Sequence, residues 1–359
     1  MIFSVCQLQT LKNPSKIRVF SISHLNPQSK KSIRKKNFIC VQAKNPLVFD
    51  GVIAQKPKGV IKVNKEKLRD YNLTGSIHTL EVKSSGEVKD IMEEVSNCIT
   101  TTTSNGKRGQ ISKSIINPNK LVGDVFSYNE FETVFQTILA GAGIGDYTIA
   151  RADLRLDSYD EKHYRDYAKL NRYLISALAV SYKVKNTYRT TNLFSQKQLS
   201  VAIKERRFEC ENYDKKAEQL EKNGNDPTTS RLELRSKDGI EDLEKEFIGT
   251  WFKRWDKALK NLDEVQKRYN DELEKIYRED KNVYPKKFLS LREFLMQYQD
   301  CIFSKKQMVD LLTRLGECKN PVGYAENYKK RYGIEYFSQK DVEYAIGEVK
   351  RAVMEFFNT

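Results

Sequence analysis

The stretch 147-YTIARADLRLD-157 decides how the middle of this chain folds. Thr148, Ala150, Ala152, Leu154 and Leu156 alternate with Ile149, Arg151, Asp153, Arg155 and Asp157. A period of two is the mark of a strand with one apolar and one charged face. Two further segments repeat it. In RFECENY (207–213), Phe208 and Cys210 oppose Glu209, Glu211 and Tyr213; in SRLELRS (230–236), Leu232 and Leu234 oppose Arg231, Glu233 and Arg235. Three amphipathic strands predict an antiparallel sheet with helices on its apolar side and charges on the other. LSVAIKERRFECENY reads as a hairpin turning near Lys204–Arg206, and 163–184 as the helix between the first strand and that hairpin.

Upstream, from about residue 47, the short runs VFDGVIA, GVIKVN and SIHTLEV read as strands separated by turns. Residues 87–99 have apolar side chains at helical spacing, TTTTSNGKRGQ (100–110) reads as a loop, and 127–143 as a helix with Ser127 and Glu130 as a capping box. Past residue 238 the pattern changes. Leu243, Phe247, Trp251, Trp255, Leu259, Leu262, Tyr269 and Ile276 form a helical stripe, and helical segments continue to the end. The expected fold is α+β: a basic leader (1–46), an α+β domain (47–238) and a mostly α-helical C-terminal domain (239–359).

A formal charge of +15 from 63 Lys+Arg against 48 Asp+Glu favours polyanionic partners, nucleic acid before anionic membrane. The plain alternative is a basic soluble protein. Six scattered cysteines without a CxxC pair argue against a zinc site or a secreted disulfide framework. No apolar run approaches the roughly 20 residues needed to span a bilayer, and a reducing cytoplasm fits best. The first 49 residues carry nine Lys/Arg and no acid, including KKSIRKK at 30–36; such a leader reads as a basic tail and also resembles a transit peptide.

If the three strands are neighbours, Asp153, Glu209, Glu211, Glu233 and Tyr213 share one face. Clustered carboxylates suit Mg²⁺ or Mn²⁺, and such an ion can hold and polarise a phosphodiester. A phenol titrates near 10, so a nucleophilic Tyr213 needs a cation beside it, and Lys215 and Lys216 follow directly. Residues four apart on a strand lie roughly 13 Å apart, so Asp153 is the first metal candidate and Asp157 an outer or structural one. The competing reading is that these charges solvate an exposed sheet face.

In order along the chain, INPNKL (116–121), ARADLRLD (150–157), ENYDKKAEQ (211–219) and SRLELRSK (230–237) resemble four elements of the Rep_trans family of rolling-circle plasmid replication initiators. The likeness covers about 111–238. It implies an endonuclease that nicks and rejoins one strand of origin DNA, with Tyr213 as nucleophile. Asp153 and Glu233 are then metal ligands, and Asp157 a weaker third. A plasmid or mobile-element origin, host helicase and polymerase, and dimerisation through C-terminal elements are implied as well. The chain departs from the family at Arg155, where a small apolar residue is usual, and at Arg235, where a second acid often stands. These two, with Arg151 and Arg231, are candidate DNA contacts. The His-hydrophobic-His pair of the other large rolling-circle class is absent, and His24, His78 and His163 read as structural or surface residues.

Relaxases and transposase-like nickases share this chemistry. A non-catalytic repressor or partition factor needs the basic surface without the tyrosine or the metal. In the C-terminal region, Trp251, Phe252 and Trp255 read as core. SKKQMVDLLTRLGECKNPVGYAENYKKRYG (304–333) reads either as a helix-turn-helix or as a surface helix pair.

Overall fold

The structure, a computed structural model, describes residues 71–106, 109–184, 193–194, 199–222, 224 and 226–359. The basic leader, the runs VFDGVIA and GVIKVN, His24, Cys6 and Cys40 lie outside the described residues.

Seven strands form one antiparallel sheet: β1 (Thr74–Ser85), β2 (Ile99–Gly106), β3 (Gly109–Ile116), β4 (Tyr147–Ser158), β5 (Val201–Lys204), β6 (Phe208–Tyr213) and β7 (Ser230–Ile240). Their order is β2-β3-β1-β4-β7-β6-β5. The three amphipathic segments are therefore neighbours, as β4, β7 and β6. Their apolar side chains, Ala152, Leu154, Leu156, Leu232, Leu234, Phe208 and Cys210, are all buried.

The helices are α1 (Tyr128–Gly141), α2 (Tyr164–Ser181), α3 (Lys215–Lys222), α4 (Trp251–Leu259), α5 (Leu262–Lys281), α6 (Leu291–Gln297), α7 (Lys305–Leu315), α8 (Pro321–Tyr332) and α9 (Gln339–Asn358), beside helical turns at Glu93–Ser96 and Asn119–Val122. The fold is thus mixed, with its helices largely C-terminal. Helix α2 is buried all round from Tyr167 to Val180, because the sheet covers one side of it and the C-terminal helices the other. Arg172 Nε donates to Tyr269 Oη at 3.1 Å, joining α2 to α5. Helix α9 crosses β1 so closely that a Cβ on Gly75 would meet the Ala352 carbonyl oxygen at 3.1 Å and Phe356 Cβ at 3.2 Å.

Side chains from both sides of residue 238 share one core. Trp251 Nε1 donates to Ser236 Oγ at 2.8 Å, and Ser236 Oγ donates to Glu246 at 2.7 Å. Trp251 and Trp255 are fully buried, as core residues.

Two local expectations are corrected. The Thr-rich run read as a loop is strand β2, paired with β3 from Ile99↔Ile116 to Gly106↔Gly109. Thr101 Oγ1 meets Ser114 Oγ at 2.9 Å and Thr103 Oγ1 meets Ser112 Oγ at 3.0 Å. Four successive β-branched threonines favour a strand over a loop, and every second one forms a cross-strand hydroxyl pair. Within 87–99, only Glu93–Ser96 is helical. Asp90 takes a left-handed backbone, φ 55°, which a right-handed helix cannot include.

In α8, Tyr328 is buried, and Tyr324 and Tyr332 pack on the core, so these aromatics serve packing. Lys329, Lys330 and Arg331 are exposed. Helices α7 and α8 are joined by residues 316–320. No helix among the described residues is long and apolar enough to cross a membrane.

Candidate active site on the charged sheet face

Strand register arranges the charged face in rows. Asp153 of β4 stands opposite Arg235 of β7, which stands opposite Glu209 of β6. The next row is Arg155, Glu233 and Glu211, and the third is Asp157, Arg231 and Tyr213. All ten site residues named from the sequence except Lys215 and Lys216 belong to these strands and this face; Arg151 lies one row beyond Asp153. This is no wet outer face. Asp153 is 1% exposed, Asp157 3% and Glu209 4%.

Burying charge is costly unless each is paired, and the rows supply the pairs. Asp153 accepts from Arg151 Nε at 2.8 Å, from Arg151 Nη2, and from Arg235 Nε at 3.1 Å. Asp157 accepts from Arg231 Nε at 2.6 Å and Nη2 at 2.9 Å. Arg155 lies between Asp157, at 3.4 Å, and Asp124. Arg235 also donates to Glu209 and, at 2.5 Å, to Glu233. Burial raises the Glu209 carboxyl, but hydrogen bonds from Lys237 and Arg235 outweigh it and hold the group below its usual range.

Tyr213 is half-buried at the end of β6. Its neighbour Asn212 anchors that end. Asn171 Nδ2 of α2 donates to Asn212 Oδ1 at 3.0 Å, and Asn212 Nδ2 donates to the Leu199 carbonyl at 2.9 Å. Glu211, two residues back on β6, shares its face. Burial, then the charge of Glu233, then Glu211 push the phenol well above its ordinary pKa. Glu233 is itself raised, first by burial, with Asp153 and Glu211 adding to the effect and Arg235 opposing it. The tyrosine thus lies among carboxylates, one of which can accept its proton.

The two lysines expected to support the phenolate have carboxylate partners of their own. Asp214 Oδ1 accepts from Ala217 N–H at 3.0 Å at the start of α3. The chain turns from strand to helix there. Lys215 Nζ donates to Glu218 at 2.6 Å, and Lys216 pairs with Glu161 and lies over the Tyr164 ring.

The expected metal ligands also fit poorly together. Both aspartates spend their oxygens on guanidinium groups, and Glu233 is bonded to Arg235. Among the described residues no group of three or more His, Cys, Asp or Glu side chains is arranged to hold a metal ion.

His78, read from the sequence as a structural or surface residue, stands close to this face. A break in the β1–β4 register between Ile77 and Thr79 sets it beside this face, and no feature of the sequence signals that irregularity. Burial and the Arg155 and Arg231 charges lower its imidazole to about 4. The ring is therefore neutral at pH 7.

Compared with known proteins, the chain matches no family model and no curated protein.

Proposed function

We propose that this chain is a replication initiator that nicks and rejoins one strand of origin DNA, on a plasmid or another mobile element, with Tyr213 as nucleophile. One observation carries the reading: β6 and β7 are in register so that Tyr213 stands directly opposite Arg231, on the face that also carries Glu211.

In this reading Glu211 takes the phenolic proton as Tyr213 Oη attacks a backbone phosphorus. The Oη–P bond forms and the P–O3′ bond breaks. The 3′ oxygen takes a proton from water and remains as a primer end, while the 5′ phosphate stays on the tyrosine. Attack by a 3′ hydroxyl on the phosphotyrosine reverses the step and rejoins a strand. Arg231 uses Nε and Nη2 on Asp157, and its remaining nitrogen is assigned to the phosphate, where a charge-assisted bond is strong. Because the aspartates are held by arginines, no step is routed through a metal ion. A host helicase and polymerase would extend the 3′ end.

The test is incubation of the chain with labelled single-stranded DNA of the replicon that carries its gene, with and without Mn²⁺. A denaturant-resistant protein–DNA adduct is expected from the wild type and not from Tyr213→Phe. A second reading, a non-catalytic DNA-binding protein, is favoured by the mutual pairing of Asp153, Asp157, Glu209 and the arginines, which forms without any substrate. It predicts binding without an adduct.

A further inference from the structure

The charged face changes along its length. At the Tyr213 end its arginines are nearly covered: the side chain of Arg155 is 8% exposed and that of Arg231 12%. Acids predominate there, with Asp124, Asp157, Glu211, Asp226 and Glu233 grouped around those two cations.

The opposite end is different. One row beyond Asp153, Arg151 of β4 stands opposite Lys237 of β7. The Lys237 N–H donates to the Arg207 carbonyl at 2.9 Å, so Arg207 extends the same row just before β6. Lys204 of β5 stands opposite Glu209, and Arg206 lies in the turn between. Cations directly opposite one another on neighbouring strands repel. Asp153 and Glu209 compensate Arg151, Lys204, Lys237 and the half-buried Arg235. Arg206 and Arg207 are exposed, and among the described residues neither side chain has an ion pair. Lys204 is 60% exposed, Arg151 30% and Lys237 26%. Counting Glu205, Asp238 and Glu81, which stands opposite Arg151 on β1 and pairs with Lys113, beside Asp153 and Glu209, the seven cations of this end still exceed its five acids.

We infer that this row, Arg151, Lys237 and Arg207 with Lys204 and Arg206, is the docking surface for the phosphates of a single DNA strand whose course runs along β6 to Tyr213. The inference rests on the nicking reading and extends it. Tyr213 lies six residues along β6 from Arg207, about 20 Å, so the surface grips the strand several nucleotides from the attacked phosphate. Exposed Arg and Lys tips at sheet spacing suit backbone phosphates, whose binding is sequence-independent and salt-dependent.

The test uses the full chain, a fluorescent oligothymidylate about 30 nucleotides long, and anisotropy across a salt series. Arg206→Gln with Arg207→Gln is compared with Lys329→Gln with Lys330→Gln, which removes the same charge from α8. The turn variant is expected to weaken binding about tenfold or more. It should also flatten the slope of log Kd against log salt by about 1.4, roughly 0.7 per lost contact; the α8 variant should change little. Equal losses in both variants, or wild-type binding by the turn variant, would overturn the surface. So would poly-glutamate that competes as well as DNA, since an acidic protein would then be the partner. A wild-type chain that binds DNA but forms no adduct overturns the nicking reading, and anisotropy still decides the surface.

Discussion

Arg231 on β7 grips Asp157 on β4 with two parallel hydrogen bonds, 2.6 Å from Nε and 2.9 Å from Nη2, straight across the strand pair. Both side chains are largely buried, 12% and 4% exposed. Removing one partner leaves an unpaired buried charge, so Arg231→Met is expected to cost about 3–5 kcal/mol. Arg231→Met combined with Asp157→Leu should cost clearly less than the two single changes added together. Urea unfolding of the four proteins measures this, and strict additivity would show that the pair is not coupled.

His78 supplies a pH dependence with a definite sign. Its ring faces Arg155, Arg231 and Lys215 against the single acid Asp153, and its pKa falls from 6.5 to about 4 on folding. Between those values the unfolded chain binds the proton and the folded chain does not. The stability contributed by this group is full above pH 6.5 and drains away as pH falls towards 4. His78→Asn should give a flatter stability profile than wild type across that window. Equal slopes would mean that the ring is not shielded from protons.

Metal binding gives a third prediction. With Asp153 held by Arg151 and Arg235, the free chain should show no stoichiometric Mn²⁺ site by calorimetry at submillimolar concentrations. Arg151→Ala with Arg235→Ala uncovers Asp153, Glu209 and Glu233, and should introduce Mn²⁺ binding. A tight single site in the wild type would contradict the arrangement of the face.

The proton acceptor separates Glu211 from the lysines. Glu211→Gln should slow adduct formation by about 10²–10⁴-fold, the usual scale for loss of a general base. Lys216→Met, which breaks contacts to Glu161 and Tyr164, should leave it within about threefold. The reverse order of effects would restore the lysine as the activating group.

Much of this arrangement was legible in the sequence, for a physical reason. The period-two alternation in β4, β6 and β7 is local, and it correctly separated Leu154, Cys210 and Leu234 from Asp153, Glu209 and Arg235. Which charge opposes which was not legible, because Asp153 meets Arg235 only through a register set by the whole sheet. The Thr100–Thr103 strand was hidden by the Asn-Gly and Gly residues that follow, which signal a turn more loudly than threonines signal a strand. The partners of Lys215 and Lys216, Glu218 and Glu161, were not legible either, since Asp214 begins a helix there and the chain changes direction. His78 depended on an irregularity between two strands distant in sequence, and no local pattern encodes it.

The most direct measurement is to map the covalent link. Adduct formed by the wild-type chain on single-stranded replicon DNA is digested with nuclease and protease, and the nucleotide-bearing peptide is sequenced by mass spectrometry. The account predicts a 5′-phosphonucleotide on Tyr213. A nucleotide on any other residue, or intact DNA recovered with an unmodified Tyr213 peptide after demonstrable binding, would contradict it.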